Sequence, residues 1–170
     1  MPPVSKTPWF VVRSSKIHGE GVFASRDIPR GTRVIEYVGE RISKAEAQRR
    51  AEKQIEDSKS GLGGAVYIFE ATNRHDIDGN VPWNPARLIN HSCQPNCKAD
   101  NIRGRIWISA IRRIKEGEEL SYDYGYDPEH YEDHPCLCGS GACFGYIVGR
   151  QYRRKIEKTL RKFSPSLLPV

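Results

Sequence analysis

The chain has 170 residues, a net charge of +6, an apolar share of 38% and a mean hydropathy of −0.63. This length suits one domain with one core, and no apolar run is long enough to span a bilayer, so we expect a soluble protein with no membrane partner. Residues 1–8 lack the basic-then-apolar pattern of a signal peptide, which predicts an intracellular protein with reduced cysteines.

The positive charge is concentrated near the C-terminus. Between Arg150 and Lys162, seven basic residues stand against one acid, Glu157, so this segment carries +6, the charge of the whole chain. The rest of the chain is therefore neutral. A basic tail of this kind binds nucleic acid, chromatin or an acidic protein surface, but a solvated C-terminal helix has the same composition. A nuclear location and a cytoplasmic one are equally open.

Most of the predicted elements are short strands. Turn residues such as Pro29-Arg30-Gly31 and Arg103-Gly104 separate runs that are rich in β-branched and aromatic residues. The last pair of residues should form the turn of a hairpin. The runs predict strands at 9–13, 21–24, 33–40, 66–71, 97–102, 105–111 and 119–124.

Two segments of the body favour helices. Ser43-Lys44-Ala45-Glu46 has the S-x-x-E pattern of a capping box, so a surface helix should run from there to about Asp57. Its narrow buried face would consist of Ala47, Ala51 and Ile55. Residues 83–88 favour a second, short helix. Because strands outnumber helices, the predicted class is mainly β, with few short helices and small sheets.

The five cysteines do not pair evenly. Cys136-x-Cys138-x4-Cys143 places three thiols at tight spacing, and together with Cys93 they match the needs of one tetrahedral zinc ion. The remaining cysteine, Cys97, would then be a buried thiol. Such a site would clamp the C-terminal segment over the turn at Asn90-His91. Ordinary core thiols, or a disulfide between two of them, are the alternative.

Four motifs follow one another in a specific order. They are His18-Gly19-Glu20-Gly21, Glu36-Tyr37-Val38-Gly39, R-L-I-N-H-S-C-Q-P-N over 87–96, and E-E-L-S-Y-D-Y over 118–124. Together with the cysteine cluster, this succession resembles the SET-domain protein-lysine N-methyltransferases that carry a zinc-binding post-SET segment. The resemblance covers residues 9–147.

The resemblance implies a mainly β SET fold of small curved sheets. It also implies that the Asn90-His91 segment and the Tyr122-Asp123-Tyr124 segment thread through one another like a pseudoknot. The implied division of the chain is a SET domain at 9–126, a post-SET zinc segment at 132–148, a basic C-terminal helix at 149–163, and flexible ends at 1–8 and 164–170.

The family further implies S-adenosylmethionine as methyl donor, a lysine of a histone or another basic protein as acceptor, and one structural Zn²⁺ ion. The implied catalytic residues are Tyr124, Tyr122 and Tyr67, and the implied lysine channel contains Phe69 and Tyr37. The implied donor-binding residues are His18, Gly19, Glu20, Gly21, Tyr67, Asn90, His91, Tyr124 and Leu137. The implied zinc ligands are Cys93, Cys136, Cys138 and Cys143.

Methyl transfer from a sulfonium to an amine needs an uncharged lysine nitrogen that is aimed at the methyl group. A lysine with a pKa of about 10.4 costs roughly 4–5 kcal/mol to deprotonate at pH 7, so the channel should be aromatic and dry. Tyr122 matches the family's tyrosine/phenylalanine switch, where a hydroxyl holds a water in the space that a methylated amine needs. We therefore predict mainly monomethylation, with some dimethylation.

Other interpretations have to be tested against this one. The first is a catalytically inactive, zinc-stabilised module whose basic tail docks on DNA or chromatin. The second is a methyltransferase that acts on a non-histone protein. The acidic linker at 126–135 could attract a basic substrate peptide, but a solvated loop is the slightly favoured interpretation. Because no cysteine-rich segment precedes the H-G-E-G motif, we expect a minimal, stand-alone enzyme.

Overall fold

A computed structural model describes residues 9–59, 66–129 and 131–163. The strands are β1 Phe10–Ser14, β2 Glu20–Ala24, β3 Arg33–Tyr37, β4 Glu40–Ser43, β5 Ile68–Glu70, β6 His75–Asp78, β7 Asn90–His91, β8 Cys97–Ile102, β9 Arg105–Ala110 and β10 Ser121–Tyr122. The helices are α1 Lys44–Lys59, α2 Arg150–Phe163 and short 3-10 turns at Pro85–Leu88 and Tyr131–Asp133. The predicted class, mainly β with few short helices, is confirmed.

Small antiparallel sheets form the body of the molecule. β1 and β2 make a hairpin, β3-β9-β8 form one three-stranded sheet, and β4-β6-β5 form another. The predicted hairpin of β8 and β9 is confirmed, and its turn uses positive φ angles at both Arg103 and Gly104, as a tight hairpin turn requires. The C-terminal strands β8 and β9 therefore pack against the N-terminal β3.

The predicted strand at 33–40 is divided between two sheets. β3 pairs with β9, whereas β4 pairs with β6. The break lies at Gly39, where a Cβ atom would collide with the carbonyl group of Asp78. The sequence pattern is continuous through this point, so the pattern alone did not show that the chain leaves one sheet and enters the next.

The helix α1 begins where the capping motif predicts. The Glu46 amide donates to the Ser43 hydroxyl at 3.3 Å, which satisfies one free donor of the first turn. On the predicted inner face, Ala47 is buried, and Ala51 and Ile55 are half-buried. Neither α-helix in the described part of the chain is long and apolar enough to cross a membrane.

The parallel pair of β7 and β10 brings two of the sequence motifs side by side. Asn90 lies opposite Ser121, and His91 lies opposite Tyr122. The Ser92 amide extends the pair by donating to the Tyr122 carbonyl at 3.2 Å. The predicted strand at 119–124 is thus reduced to Ser121–Tyr122. The threading of the two segments through one another stays a prediction.

Two apolar clusters stabilise the molecule. The larger one lies between the sheets and contains Val22, Val34, Ile108 and Leu120, all fully buried. The smaller one consists of Cys93, Phe144, Val148 and Ile156. Because Ile156 belongs to α2 and Cys93 follows β7, the smaller cluster fixes the C-terminal segment against the centre of the fold. The predicted domain boundaries themselves stay predictions.

Candidate active site and cysteine cluster

A cavity of about 500 Å³ lies between α1, β5 and the segment that follows β10. Aromatic side chains of Phe69, Tyr122, Tyr124 and Tyr126 line it. The helix contributes Ala51 and Ile55, and the lining also includes three carboxylate residues and a histidine: Glu70, Asp127, Glu129 and His134. The cavity therefore combines aromatic walls with nearby negative charge.

The aromatic rings of this cavity form a continuous chain. Ring centroids are 6.0 Å apart for Phe69 and Tyr122, 5.0 Å for Tyr122 and Tyr124, and 5.7 Å for Tyr124 and Tyr126. These separations are within the range of favourable aromatic pairs. Each ring therefore restricts the position of the next, and the walls of the cavity are preorganised.

Burial keeps the phenols of this group uncharged. It raises the pKa of Tyr126 to about 12, and it raises the pKa values of Tyr122 and Tyr124 further. The neighbouring phenol of Tyr67 acts in the same direction on all three pKa values, because two negative charges would repel in a medium of low polarity. None of these hydroxyl groups can act as an anionic base near neutral pH.

Tyr124 is held by hydrogen bonds to Ile89 and His91 rather than by a strand. Its hydroxyl donates to the Ile89 carbonyl at 2.9 Å, and its amide donates to Nδ1 of His91 at 3.2 Å. The predicted strand at 119–124 would place Tyr122 and Tyr124 on one face as alternate residues, but β10 ends at Tyr122. The two rings still meet, because these hydrogen bonds direct Tyr124.

Tyr122 lies between two other rings of the cavity wall. Its side chain is 6% exposed and lines the cavity, and its ring contacts those of Phe69 and Tyr124. A water or a ligand in the cavity can form hydrogen bonds with the phenols of its wall.

Tyr37 and Tyr67 do not belong to the described lining of the cavity. Tyr37 is 1% exposed, its ring contacts Phe69 at 4.6 Å, and its hydroxyl donates to the Tyr67 carbonyl at 3.0 Å. A Cβ atom at Gly79 would collide with the Tyr37 ring. Tyr37 thus supports Phe69 and the main chain of Tyr67 from within the core, and the channel roles of Tyr37 and Tyr67 stay predictions.

The H-G-E-G motif meets Asn90 at one end of the β1-β2 hairpin. The Asn90 side-chain Nδ2 lies 3.3 Å from the His18 carbonyl, 3.1 Å from the Glu20 carbonyl and 2.8 Å from Glu119 Oε1. Three acceptors around one nitrogen fix the orientation of the amide. The carboxamide oxygen of Asn90 therefore points to the opposite side.

Glu119 is a residue of this site that sequence reasoning missed. Its Oε1 accepts hydrogen bonds from Asn90 and from the Ser15 hydroxyl, the latter at 2.7 Å. A Cβ atom at Gly21 would collide with the same oxygen, which could move away only by giving up these hydrogen bonds. At Gly19 the constraint on a side chain is different, since its φ of 46° lies in the left-handed region.

The four predicted cysteine ligands meet at one point. The sulfur atoms of Cys93, Cys136, Cys138 and Cys143 all lie within 4.8 Å of one another. The Cys93 and Cys136 sulfurs are 3.8 Å apart, and a tetrahedron with zinc–sulfur bonds of about 2.3 Å has edges of about 3.8 Å. The donor set therefore fits one tetrahedral metal ion of zinc type.

Hydrogen-bond donors surround the Cys93 sulfur. The Phe144 amide donates to it at 3.3 Å, and Nε2 of His91 lies 3.6 Å away. Because Nδ1 of His91 accepts from the Tyr124 amide, the proton of the neutral ring is on Nε2, facing the sulfur. Donation from the Cys136 thiol and these neighbouring donors lower the pKa of the Cys93 thiol, as expected for a sulfur that serves as a thiolate ligand.

The other cysteine and the leucine within the cluster have contrasting environments. Cys97 is 1% exposed, which confirms the predicted buried thiol, and burial raises the pKa of this thiol to about 12. Leu137 lies between two ligands and is 66% exposed. An apolar side chain this exposed, on a segment that the cluster holds in place, is available to cover a ligand.

Comparison with known proteins identifies the family of this fold and site. The SET domain family model matches residues 19–125. This stretch is more than half of the chain, so the protein belongs to the SET-domain family. The match begins within the H-G-E-G motif and ends directly after Tyr124, and it therefore includes every predicted active-site tyrosine.

Similar proteins share the same region. Human histone-lysine N-methyltransferase 2D is 42% identical over 134 residues, which are 76% of this chain and 2% of that protein. Histone-lysine N-methyltransferase trr of Drosophila melanogaster is 43% identical over 135 residues, 76% of this chain and 5% of its own. The H3 lysine-4 specific histone-lysine N-methyltransferase of Schizosaccharomyces pombe is 42% identical over 137 residues, 78% of this chain and 14% of its own. This chain thus spans only a small part of these relatives.

Proposed function

We propose that this protein transfers methyl groups from S-adenosylmethionine to the ε-amine of a lysine in a protein substrate. The observation that carries the proposal is the cavity whose walls are the packed rings of Phe69, Tyr122, Tyr124 and Tyr126. Membership of the SET-domain family and similarity to proteins named histone-lysine N-methyltransferases support it. A catalytically inactive module would not require this preorganised group of phenols.

The cavity favours the uncharged form of a lysine amine. Aromatic walls of Phe69, Tyr122, Tyr124 and Tyr126 replace water around the nitrogen, which lowers the pKa of an amine. The phenols stay neutral at physiological pH, so no phenolate is present to hold the proton on the amine as an ion pair. The proton has to leave to solvent before the nitrogen reacts.

Alignment accounts for most of the remaining catalysis. S-Adenosylmethionine, when bound, supplies an electrophilic methyl group on a sulfonium. The Tyr124 hydroxyl donates its proton to the Ile89 carbonyl, so its oxygen lone pairs remain available to polarised C–H groups. In this proposal Tyr122 and Tyr67 orient the amine, and the fixed rings allow the amine to approach the methyl group from one direction only. Such alignment of the two reactants is a large source of rate acceleration.

The donor site is proposed at the junction of the H-G-E-G hairpin, β7 and the post-SET segment. Asn90 and His91 would contact the methionine and adenosine parts, with His18, Gly19, Glu20 and Gly21 along the methionine side. Leu137 would cover the adenine, which explains its exposure. The fixed Asn90 amide supports this assignment, because its oxygen is free of the three neighbours that its nitrogen contacts.

One structural zinc ion is proposed at the four cysteines. The fit of the sulfur positions and the donors around Cys93 support this assignment. Thiolate coordination would provide folding free energy to the segment that carries Cys136 and Leu137. The zinc ion would thus stabilise the donor site without taking part in the transfer.

A basic protein substrate agrees with the charges around the cavity. Asp127 and Glu129 are exposed at its lining, which also includes the exposed Glu70, an ion-pair partner of Lys44. These carboxylates attract a positively charged peptide, as in a histone tail or another basic protein. Histone specificity, contact of the basic tail with nucleic acid, and a nuclear location stay predictions.

The test is a labelled-methyl transfer assay on arrays of histone peptides and other basic peptides. We expect labelled lysine from the wild-type protein and at least a 100-fold slower transfer with Tyr124→Phe, since alignment contributes several orders of magnitude. Tyr131→Phe is the matched control, because Tyr131 lies outside the cavity. Absence of transfer by folded wild-type protein with bound zinc, on all peptides, would contradict the proposal.

A further inference from the structure

The side chain of Arg153 on α2 contacts three separate parts of the chain. Its Nη1 donates to the Cys93 carbonyl at 3.0 Å, Nη2 to Asp123 Oδ2 at 3.0 Å, and Nε to the Val148 carbonyl at 3.1 Å. The side chain is 12% exposed. The guanidinium group is planar and rigid. Because it donates to three acceptors at once, it fixes their positions relative to one another.

The carboxylate that Arg153 holds lies within the active-site segment. Asp123 stands between Tyr122 and Tyr124, and its Oδ2 also accepts from the Arg150 amide at 2.9 Å, in the first turn of α2. A carboxylate is stabilised at the N-terminus of a helix. Its other oxygen accepts from the Gly125 amide at 3.0 Å. Asp123 thereby links α2 to the main chain on both sides of Tyr124.

The second contact of Arg153 reaches the cysteine cluster. The Cys93 carbonyl belongs to the same residue whose sulfur faces Cys136 and accepts from Phe144. On the inner face of α2, Ile156 packs into the small apolar cluster with Cys93 and Val148. The helix thus holds the cysteine cluster through both an apolar contact and a charged one.

We propose that α2 is a working part of the methyl-transfer site, with Arg153 as a positioning residue that joins the Tyr122-Asp123-Tyr124 segment to the cysteine cluster. This inference rests on the proposed function and adds an element outside the region, 19–125, that matches the SET domain family. The buried side of α2 thus has a structural role, which is separate from any binding by the basic residues on its exposed side.

The test compares Arg153→Gln with Arg154→Gln. Arg154 is the next residue, is exposed, and makes no ion pair among the described residues, so both variants lose one positive charge from the same helix. The readouts are the rate at which a chromogenic chelator removes zinc, the Kd for S-adenosylmethionine by calorimetry, and KM and kcat for a peptide.

For Arg153→Gln we expect the rate of zinc release and the Kd for S-adenosylmethionine to increase by roughly 10- to 100-fold. This range is typical when a residue that supports a metal ligand is replaced. Arg154→Gln should resemble the wild type in both. Equal zinc release and equal donor affinity in the two variants would overturn the proposal. Because neither readout needs methyl transfer, failure of this inference is distinguishable from failure of the proposed function.

A further pair of variants separates positioning from general stability. If Arg153→Gln does not fold, Arg153→Lys keeps the charge but cannot reach three acceptors at once, and it should still release zinc faster than the wild type. In a double-mutant cycle with Asp123→Asn, the effects on donor affinity should be strongly non-additive. Additive effects, or a folded Arg153→Lys variant with unchanged zinc release, would overturn the proposal.

Discussion

Single side chains decide where the reacting groups can sit. Glu119 orients the Asn90 amide and occupies the space that a side chain at Gly21 would need. The hydrogen bond between Glu119 and Ser15 joins residues that are 104 positions apart. No local pattern shows such a pairing, so the sequence did not show that the Glu119 carboxylate lies beside the H-G-E-G motif. The donor-binding role of the motif glycines stays a prediction.

The hydroxyl of Tyr122 sets the number of methyl groups in our proposal. Replacing Tyr122 with Phe removes the group that holds a water, and the space becomes available to a methylated amine. Because a hydrogen bond contributes about 1 kcal/mol net, the ratio of higher methylated products to monomethyllysine should rise roughly fivefold. Mass spectrometry of a peptide substrate measures this ratio.

The control for this change is Tyr131→Phe, which removes a hydroxyl outside the cavity. It should leave the product ratio unchanged. Trimethyllysine as the main product of the wild-type protein would contradict the role of Tyr122, and so would an unchanged ratio in the Tyr122→Phe variant with normal turnover.

At the scale of secondary-structure elements, the shortest pair of strands has the largest effect on the candidate site. β7 and β10 have two residues each, too few for a periodic pattern, but their parallel pairing places Asn90-His91 beside the tyrosine segment. The motifs therefore singled out these residues, but they could not show the strand pairing or the reason that Tyr124 faces Tyr122. That reason is the set of hydrogen bonds from Tyr124 to Ile89 and His91.

Longer elements were predicted more completely. The cap at Ser43 and the hairpin around Arg103-Gly104 depend on neighbouring residues, so the sequence shows them directly. The division at Gly39 and the three contacts of Arg153 depend on the approach of distant main chain. Local signals thus predicted the helix start, the hairpin and the grouping of the four cysteines, whereas contacts between distant segments required the structure.

In our proposal the cysteine cluster links the C-terminal segment to donor binding. Replacing Cys136 with Ser removes one ligand of the proposed zinc ion and frees the segment that carries Leu137. We expect zinc content to fall, and the affinity for S-adenosylmethionine and the transfer rate to fall together by at least about tenfold. Metal analysis, calorimetry and the transfer assay measure the three quantities on the same sample.

Cys97→Ala is the matched control for that change, because Cys97 is a buried thiol outside the cluster. It should lower thermal stability while leaving zinc content and donor affinity intact. Full activity of the wild-type protein after verified removal of zinc would contradict the proposed link.

At the scale of the whole molecule, the buried phenols make stability depend on alkaline pH. In the unfolded chain a tyrosine ionises near pH 10, whereas burial raises the pKa of Tyr126 to about 12 and those of Tyr37, Tyr122 and Tyr124 further. Above pH 10 the unfolded state loses protons that the folded state keeps. The contribution to stability is therefore complete below pH 10 and is lost as pH rises.

The size of this effect can be measured one residue at a time. Each buried phenol should reduce the free energy of unfolding by about 1.4 kcal/mol per pH unit between its unfolded and folded pKa values. Tyr126→Phe removes one such proton, so its stability should fall less steeply between pH 10 and pH 12 by about that amount. The variant also loses the hydrogen bond from the Val66 amide to the Tyr126 hydroxyl, which lowers its stability at every pH without changing the slope. Urea denaturation at a series of pH values separates the two effects, and parallel curves for the variant and the wild type would show that Tyr126 ionises equally in the folded and unfolded states.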